Sequence, residues 1–463
     1  MLPWKIAKTP EEAGLSSRML LKYLDAVEAS GLEHHSITVV RNGYLVCGLN
    51  YAPFRSDEPH VLFSLSKLFC SAAAGFAVEE GLLEWDSLVC DVLKDDLPET
   101  VSDTVKTITL EHLLTMSSGL DRRSDGFFPD HVVKNTLSFD CIYAPGTEFQ
   151  YNSHGTYLIS AMVQKVTGMN IRDYLIPRLF TPLGIPAPDW DMCPDGICMG
   201  GWGLHLSSES IARMGMCMAQ NGMWQGKRVL PAEWLERASK ARVSTANRPN
   251  VDNIDWKLGY SYQTWMCRGG RYRGDGAYGQ ICMVSPDKGM AVAVTAGIWD
   301  MGLECDLLDE YLFAAADTEP GTETEQKELS DRIAKLTLKW PEDDGAGKIP
   351  CGVFASDELS LTVTPDVEGV ILTLKPKDQR SLTLKCGFAA PRPFTMLGWK
   401  PEAPSGPYLG ACGRKGEVLS AAVRAADAPF VLKMRLEPSD GGLTAVFDSI
   451  GFPLSGKHEL KKR

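Results

Sequence analysis

Two hairpin signals stand at opposite ends of a long helical stretch, and one sheet that uses both must be assembled from distant parts of the chain. The first is SITVV and YLVCGLNY around Arg41-Asn42-Gly43; the second is QICMVS and MAVAVTAG, joined by PDKG. Asn-Gly supplies the left-handed residues that a tight antiparallel turn needs. Between the hairpins, residues from about 64 to 240 read as mainly helical, with stops at Gly81, Gly119 and Gly222. Ahead of them, Thr9-Pro10-Glu11-Glu12 reads as an N-cap followed by proline, opening one helix that runs through SSRMLLKYLDAVEAS to Gly31. Behind them comes an apolar helix around LECDLLDEYLFAAA. The fold class is therefore α+β: an antiparallel sheet flanked by helices, with a large helical insert.

At 463 residues the chain exceeds the size at which a single core stops growing, so a second domain is expected. The composition shifts after Ala316. DTEPGTETEQKE is polar and acidic, and PEDDGAGKIP is rich in Pro, Gly and Asp, so 317–350 reads as a linker around one short helix. From 351 to 463, LSLTVTP, VILTLKP, SLTLKC, VLSAAVRA, FVLKMRLEP and LTAVFDSI alternate apolar and polar residues at period two. That pattern is a small antiparallel β domain, barrel or sandwich, and it carries no catalytic constellation. The remaining span, 1–316, is the place to look for chemistry.

A net charge of −12 argues against nucleic acid and anionic membrane as partners and says nothing about substrate. MLPWKIAKTPEEAG lacks a basic segment followed by an apolar run, which with the absence of any long apolar stretch gives a cytoplasmic expectation. The 13 cysteines are odd in number and scattered through apolar segments, as reduced core thiols are. Cys193, Cys198 and His205 fit no tight zinc spacing and want a fourth ligand, so neither metal nor organic cofactor is expected.

FSLSKLFCSAAAG, residues 63–75, sets Ser64 and Lys67 three positions apart at the start of a small-residue helix. Residues i and i+3 share a helix face, so the amine lies beside the hydroxyl. Ala72, Ala73, Ala74 and Gly75 make that helix slim enough for central burial, where a lysine needs a role. A serine hydroxyl needs a neighbouring base and donors for the developing oxyanion. A second piece, PGTEFQYNSHGTYLIS, places Tyr151 just before a helix; an adjacent ammonium would pull its pKa down from about 10. A third, RYRGDGAYGQICMVSP, carries Gly274, Gly276 and Gly279 beside a strand, where glycine marks close approach to the backbone. His34-His35 reads as structural, and His154 as a polar helix-start residue near Tyr151.

These three motifs resemble those of the serine β-lactamase and penicillin-recognising hydrolase superfamily. The chain is most similar to the class C β-lactamase-like group, which includes family VIII esterases, nylon-oligomer hydrolases and D-amino-acid peptidases. HLLTMSSGL, GGWGLHLSSESIARMG and WQGKRVLPAEWL are similar to connecting segments of that group, and the C-terminal β domain resembles the lipocalin-like additions of some members. The resemblance implies a β-lactamase/transpeptidase-like fold, Ser64 as acylated nucleophile, Lys67 as its proton partner and Tyr151 as a base or leaving-group acid. It implies an oxyanion hole from the backbone N–H groups of Ser64 and Ala277, with Ser153, Asp275 and Gly276 facing substrate.

Two departures from the family pattern matter. Tyr151-Asn152-Ser153 ends in a hydroxyl where an amide would contact substrate, and Gly274-Asp275-Gly276 lacks the lysine of Lys-Thr-Gly. Asp275 would repel a β-lactam carboxylate unless Arg271 or Arg273 turned inward. The expected activity is hydrolysis of a small ester or amide through an acyl-enzyme. The alternatives are a β-lactamase or D,D-peptidase, or a catalytically weak penicillin-binding sensor.

Overall fold

The structure, a computed structural model, describes residues 4–125, 130–248, 251–345, 347–398 and 405–463. Met1–Pro3, in the segment read for a leader, and Ala346, in the stretch read as linker, lie outside the described residues. Two compact units emerge, one built from residues up to Asn50, Arg55–Thr295 and Asp300–Leu336, the other from Tyr51–Phe54, Ala296–Trp299 and Thr337–Arg463.

The first unit is organised by a seven-stranded sheet made of β1 (Lys5–Ile6), β2 (His34–Arg41), β3 (Tyr44–Asn50), β4 (Trp265–Met266), β5 (Tyr272–Gly276), β6 (Gln280–Ser285) and β7 (Met290–Ala296), in the spatial order β1-β3-β2-β7-β6-β5-β4. Strands from the two ends of the unit thus meet at β2 and β7. Asn42 and Gly43 turn the first hairpin with φ of 51° and 81°, the left-handed pair that Asn-Gly accepts at least cost. The sheet is antiparallel except at one edge, where β1 runs parallel to β3 through Lys5↔Tyr44.

Helices cover the sheet. α1 (Ser17–Ser30), α2 (Ser66–Glu79), α3 (Ser153–Thr167), α4 (Ser208–Ala219) and α5 (Met301–Leu307) carry the main buried faces. Gly215 of α4 lies flat on the sheet, since a Cβ there would come within 2.9 Å of the Ala291 side chain. His34 Nε2 meets Glu304 Oε1 at 2.9 Å with both side chains fully buried, which ties β2 to α5 and gives the His34 side chain its structural task.

The N-terminal helix differs from expectation. Pro10–Ala13 forms a 3₁₀ turn, Gly14 turns left-handed at φ 74°, and α1 starts afresh after Ser16. The cap signal at Thr9 opened one turn only, because Gly14 closes it with a left-handed C-cap. The stretch expected as linker is also more structured than a solvated spacer. Its helix α6 (Glu323–Ile333) starts with a Thr322/Glu325 capping box, buries Leu329 and docks on α1 through Arg18–Glu325 at 2.6 Å and Arg332–Asp25 at 2.5 Å.

In the second unit, ten described strands pair between Gly352 and Lys462. Antiparallel hairpins run from Gly352 to Gly387 and from Gly406 to Lys462; Phe354↔Lys462 joins the outer ends and Gly387↔Ala411 the inner ones. Nine strands therefore close into a barrel, while Arg392–Met396 pairs only along Gly406–Lys415. The alternation that marked these strands places Leu361, Val363, Leu372, Leu374, Leu382 and Leu384 in the buried interior. Among the described residues, no helix is long and apolar enough to cross a membrane.

Candidate active site

Ser64 sits in a single 3₁₀ turn, Phe63–Leu65, that runs directly into α2. From Ser66 to Ala77 every residue of α2 is buried, as the small side chains at Ala72–Gly75 allow, and Lys67 is 1% exposed. Its Nζ lies 3.0 Å from Ser64 Oγ, 3.1 Å from Ser153 Oγ and 2.7 Å from the Gly201 carbonyl. Burial pulls the Lys67 amine down to about 7, while the carboxylates of Asp125 and Asp275 work against that fall. A neutral amine has two N–H donors and one lone pair. The Gly201 carbonyl can only accept, so the lone pair is left for a hydroxyl proton.

The Tyr151 motif is positioned by its neighbours. Asn152 caps α3 by accepting the Gly155 N–H at 2.8 Å, and its Nδ2 donates to Ser124 Oγ at 2.8 Å. Tyr151 is thereby held just ahead of the helix, near enough to Ser64 for that hydroxyl to act on its phenol, and Lys67 Nζ stands 4.9 Å from its ring centre. The sequence expectation for its acidity is reversed. Burial, together with Asp275 and Asp125, pushes the phenol well above its ordinary value, and the nearby amine does not offset this. The ring belongs to an aromatic wall: Trp265 stacks parallel to it at 6.1 Å, Tyr260 meets it edge-on at 6.4 Å, and Phe149 packs on Tyr260 and Trp265.

The third motif presses against the nucleophile's turn. A Cβ on Gly276 would stand 2.0 Å from the Leu62 carbonyl and 3.0 Å from the Leu65 nitrogen. Glycine lets β5 come this close, and Ala277 follows it at the exposed start of the β5–β6 turn. Phe63 and Tyr278 flank Ser64 and Ala277; both are left-handed, with φ of 47° and 67°, and their rings meet edge-on at 5.6 Å. Two strained residues braced on each other fix the two segments that would supply oxyanion donors. Gln280 Nε2 adds bonds to the carbonyls of Ala277 and Tyr278 at 3.2 and 3.1 Å. Gly276→Ala is expected to destabilise the protein by about 1–3 kcal/mol and to lower kcat/KM by roughly tenfold or more, through overpacking against backbone; thermal melts and ester kinetics check it.

The residues expected at the substrate face take other partners. Ser153 Oγ bonds Lys67. Asp275 Oδ1 accepts from Trp265 Nε1 and Oδ2 from Arg273 Nε, each at 3.0 Å, so its charge is met inside the protein. Of the two candidate arginines, Arg273 turns inward and compensates Asp275, fully buried against that carboxylate, the Asp255 carbonyl and Cys267, while Arg271 pairs with Asp309. Trp265 comes from the neighbouring strand β4, outside the motif, whereas Arg273 lies two residues before Asp275 on β5, where strand periodicity puts both on one face. His154 Nδ1 pairs with Asp125 Oδ1 at 3.0 Å, and its ring meets Trp202 at 5.6 Å. Gly201, Asp125, Trp265 and Tyr260 went unnoticed in the sequence; only GGWGL, as a small-residue cluster, offered a signal for the first.

Among the described residues, no group of three or more His, Cys, Asp and Glu is placed to hold a metal ion. Cys193 Sγ contacts the Tyr157 hydroxyl at 3.2 Å, Cys198 approaches Asn170, and His205 lies 3.9 Å from Asp191.

Comparison with known proteins adds the lineage. The chain is 24% identical over 273 residues to the 6-aminohexanoate-dimer hydrolase of Paenarthrobacter ureafaciens, spanning 54% of this chain and 68% of that protein. The structure of a family VIII carboxylesterase superposes with a TM-score of 0.52 at 14% identity, covering 65% of this chain and 98% of its own. An octameric penicillin-binding protein homologue from Pyrococcus abyssi superposes at 0.51 and 15% identity over 93% of this chain and 98% of that one. The Beta-lactamase family model matches residues 25–300, a span that holds all three motifs and most of the sheet, and the chain belongs to that family.

Proposed function

We propose that this protein hydrolyses a small ester or amide through an acyl-enzyme on Ser64. The observation that carries the reading is the buried Lys67 amine, 3.0 Å from Ser64 Oγ and held near 7 by desolvation. Neutral Lys67 accepts the Ser64 proton as Oγ attacks the carbonyl carbon, and the backbone N–H groups of Ser64 and Ala277 receive the oxyanion. Collapse of the tetrahedral intermediate expels the alcohol or amine. Tyr151, whose proton is held tightly, donates it to that leaving group and regains one from protonated Lys67. Water then attacks the acyl carbon by the same path in reverse and frees Ser64.

Relatives support the class: a 6-aminohexanoate-dimer hydrolase cleaves an amide by its name, and a carboxylesterase cleaves esters. Their names support ester or amide hydrolysis as the reading. The 13 unpaired cysteines support a reducing compartment such as the cytoplasm.

The test is a hydrolysis screen of short acyl p-nitrophenyl esters, D-amino-acid amides and nitrocefin. Turnover of at least one of the first two classes supports the reading; stable acylation by penicillin without turnover of any substrate would replace it with a sensor. Tyr151→Phe should lower kcat by roughly 10²-fold or more at an almost unchanged melting temperature. An active but destabilised variant would leave this tyrosine with a packing role alone.

A further inference from the structure

The aromatic wall beside Tyr151 carries a cation that no carboxylate answers among the described residues. The Arg248 guanidinium lies 4.8 Å from the centre of the Trp265 ring, and Trp265 stacks on Tyr151 with 9° between their planes. Arg248 Nη1 is buried and has no hydrogen-bond partner among the described residues. Each neighbouring guanidinium faces a carboxylate, Arg268 those of Asp255 and Asp306, Arg271 that of Asp309 and Arg273 that of Asp275, although Arg271 Nε and Arg273 Nη2 are also buried without a hydrogen-bond partner among the described residues. Asp275 and Tyr151 are near enough for their charges to act on Arg248, yet Asp275 has both oxygens engaged by Trp265 and Arg273.

Withdrawing a guanidinium N–H from water without a partner is costly, and a group kept in that state beside a reacting centre has a use for its donors. Its planar fork matches a carboxylate in two parallel hydrogen bonds, and stacking on an indole fixes the plane of the fork in advance. The segment that supplies it, ahead of Tyr260 and Trp265 in the chain, belongs to none of the three catalytic motifs.

We infer that Arg248 anchors a carboxylate on the substrate, so that the preferred esters or amides are those bearing an acid group near the scissile carbonyl. This rests on the serine-hydrolase reading above and narrows it. The uncharged class expected from the missing third-motif lysine gives way to an anionic one, because the cation arrives from another loop.

Two matched pairs of esters test it. p-Nitrophenyl hemiglutarate against p-nitrophenyl valerate places the acid on the acyl side; 3-acetoxybenzoate against phenyl acetate places it on the leaving group. For each pair, the ratio of kcat/KM for the charged over the uncharged ester is measured in wild type, Arg248→Met and Arg248→Lys. In at least one pair the ratio should fall by roughly tenfold in Arg248→Met and recover in part in Arg248→Lys. Added salt should lower it in wild type and leave it flat in Arg248→Met. A merely structural role would depress both members of a pair together and leave the ratio alone. Ratios within about twofold of wild type in both pairs overturn the assignment of Arg248. Ser64→Ala, run alongside, keeps the two readings apart: its loss of hydrolysis upholds the serine reading even where the Arg248 ratios do not move.

Discussion

Ser64→Ala should remove ester hydrolysis, lowering kcat by roughly 10⁴-fold or more, with the melting temperature almost unchanged. The size of the effect follows from the chemistry: without Oγ no acyl-enzyme forms, and Lys67 and Tyr151 have nothing to exchange protons with. The fold should tolerate the change, because the side chain is half-buried in a 3₁₀ turn and its hydroxyl is bonded by Lys67 Nζ, not by a structural backbone group. Kinetics and circular dichroism on the same preparation check both halves. Retention of most activity in the variant would mean that another nucleophile operates.

Lys67 carries the second large effect. Lys67→Met, close in volume, should cost roughly 10³-fold in kcat/KM as a general base is lost. In the wild type, only the unprotonated amine can take the serine proton, so kcat/KM should climb with pH through about 7 and level off above it. Asp125 favours the ammonium, so Asp125→Asn should move that midpoint to lower pH while an amide oxygen can still accept from His154. The same shift bears on stability. A lysine held at about 7 against an ordinary 10.5 binds fewer protons folded than unfolded across that interval, so its contribution to stability improves as pH rises from 7 towards 10.5. Below 7 the folded protein bears the cost of a buried ammonium. Lys67→Met should therefore melt higher than wild type at neutral pH, even as it loses activity. A midpoint near 10 would show that Lys67 stays charged at neutral pH, and one near 7 that ignores Asp125→Asn would show that Asp125 does not act on the titrating group.

The parts of this site that were legible in the sequence are those whose spacing is local. Ser64 and Lys67 face one another because three residues of helix separate them, and the run Ala72–Gly75 announced a buried helix. Gly276 was readable as a close approach without any view of what it approaches, which is the Leu62 carbonyl. The hairpins were legible because Asn-Gly and PDKG each fix a turn by themselves. What stayed hidden depends on loops far apart in sequence. The acidity of Tyr151 is set by Asp275, Asp125 and the desolvation of its surroundings, and one adjacent amine was a poor guide to their sum. Asp275 looked like a charge facing substrate because Trp265, one of its partners, cannot be assigned from spacing, although Arg273, two residues earlier on the same strand, could have been. Period-two alternation gave the C-terminal strands, yet barrel and sandwich share that pattern; the Gly387↔Ala411 pairing that closes the ring leaves no mark in sequence. Gly14 and α6 teach a related lesson: a cap signal says where a helix starts, while its length and its packing partner are decided elsewhere.

The central claim is that Ser64 is the nucleophile of a covalent hydrolase, and mass spectrometry after treatment with a fluorophosphonate tests it most directly. The account predicts one phosphonyl group per chain, mapped to the peptide that holds Ser64, gained in step with the loss of esterase activity and absent from Ser64→Ala. Inactivation with the group on a different residue, or an equal adduct on Ser64→Ala, would contradict it.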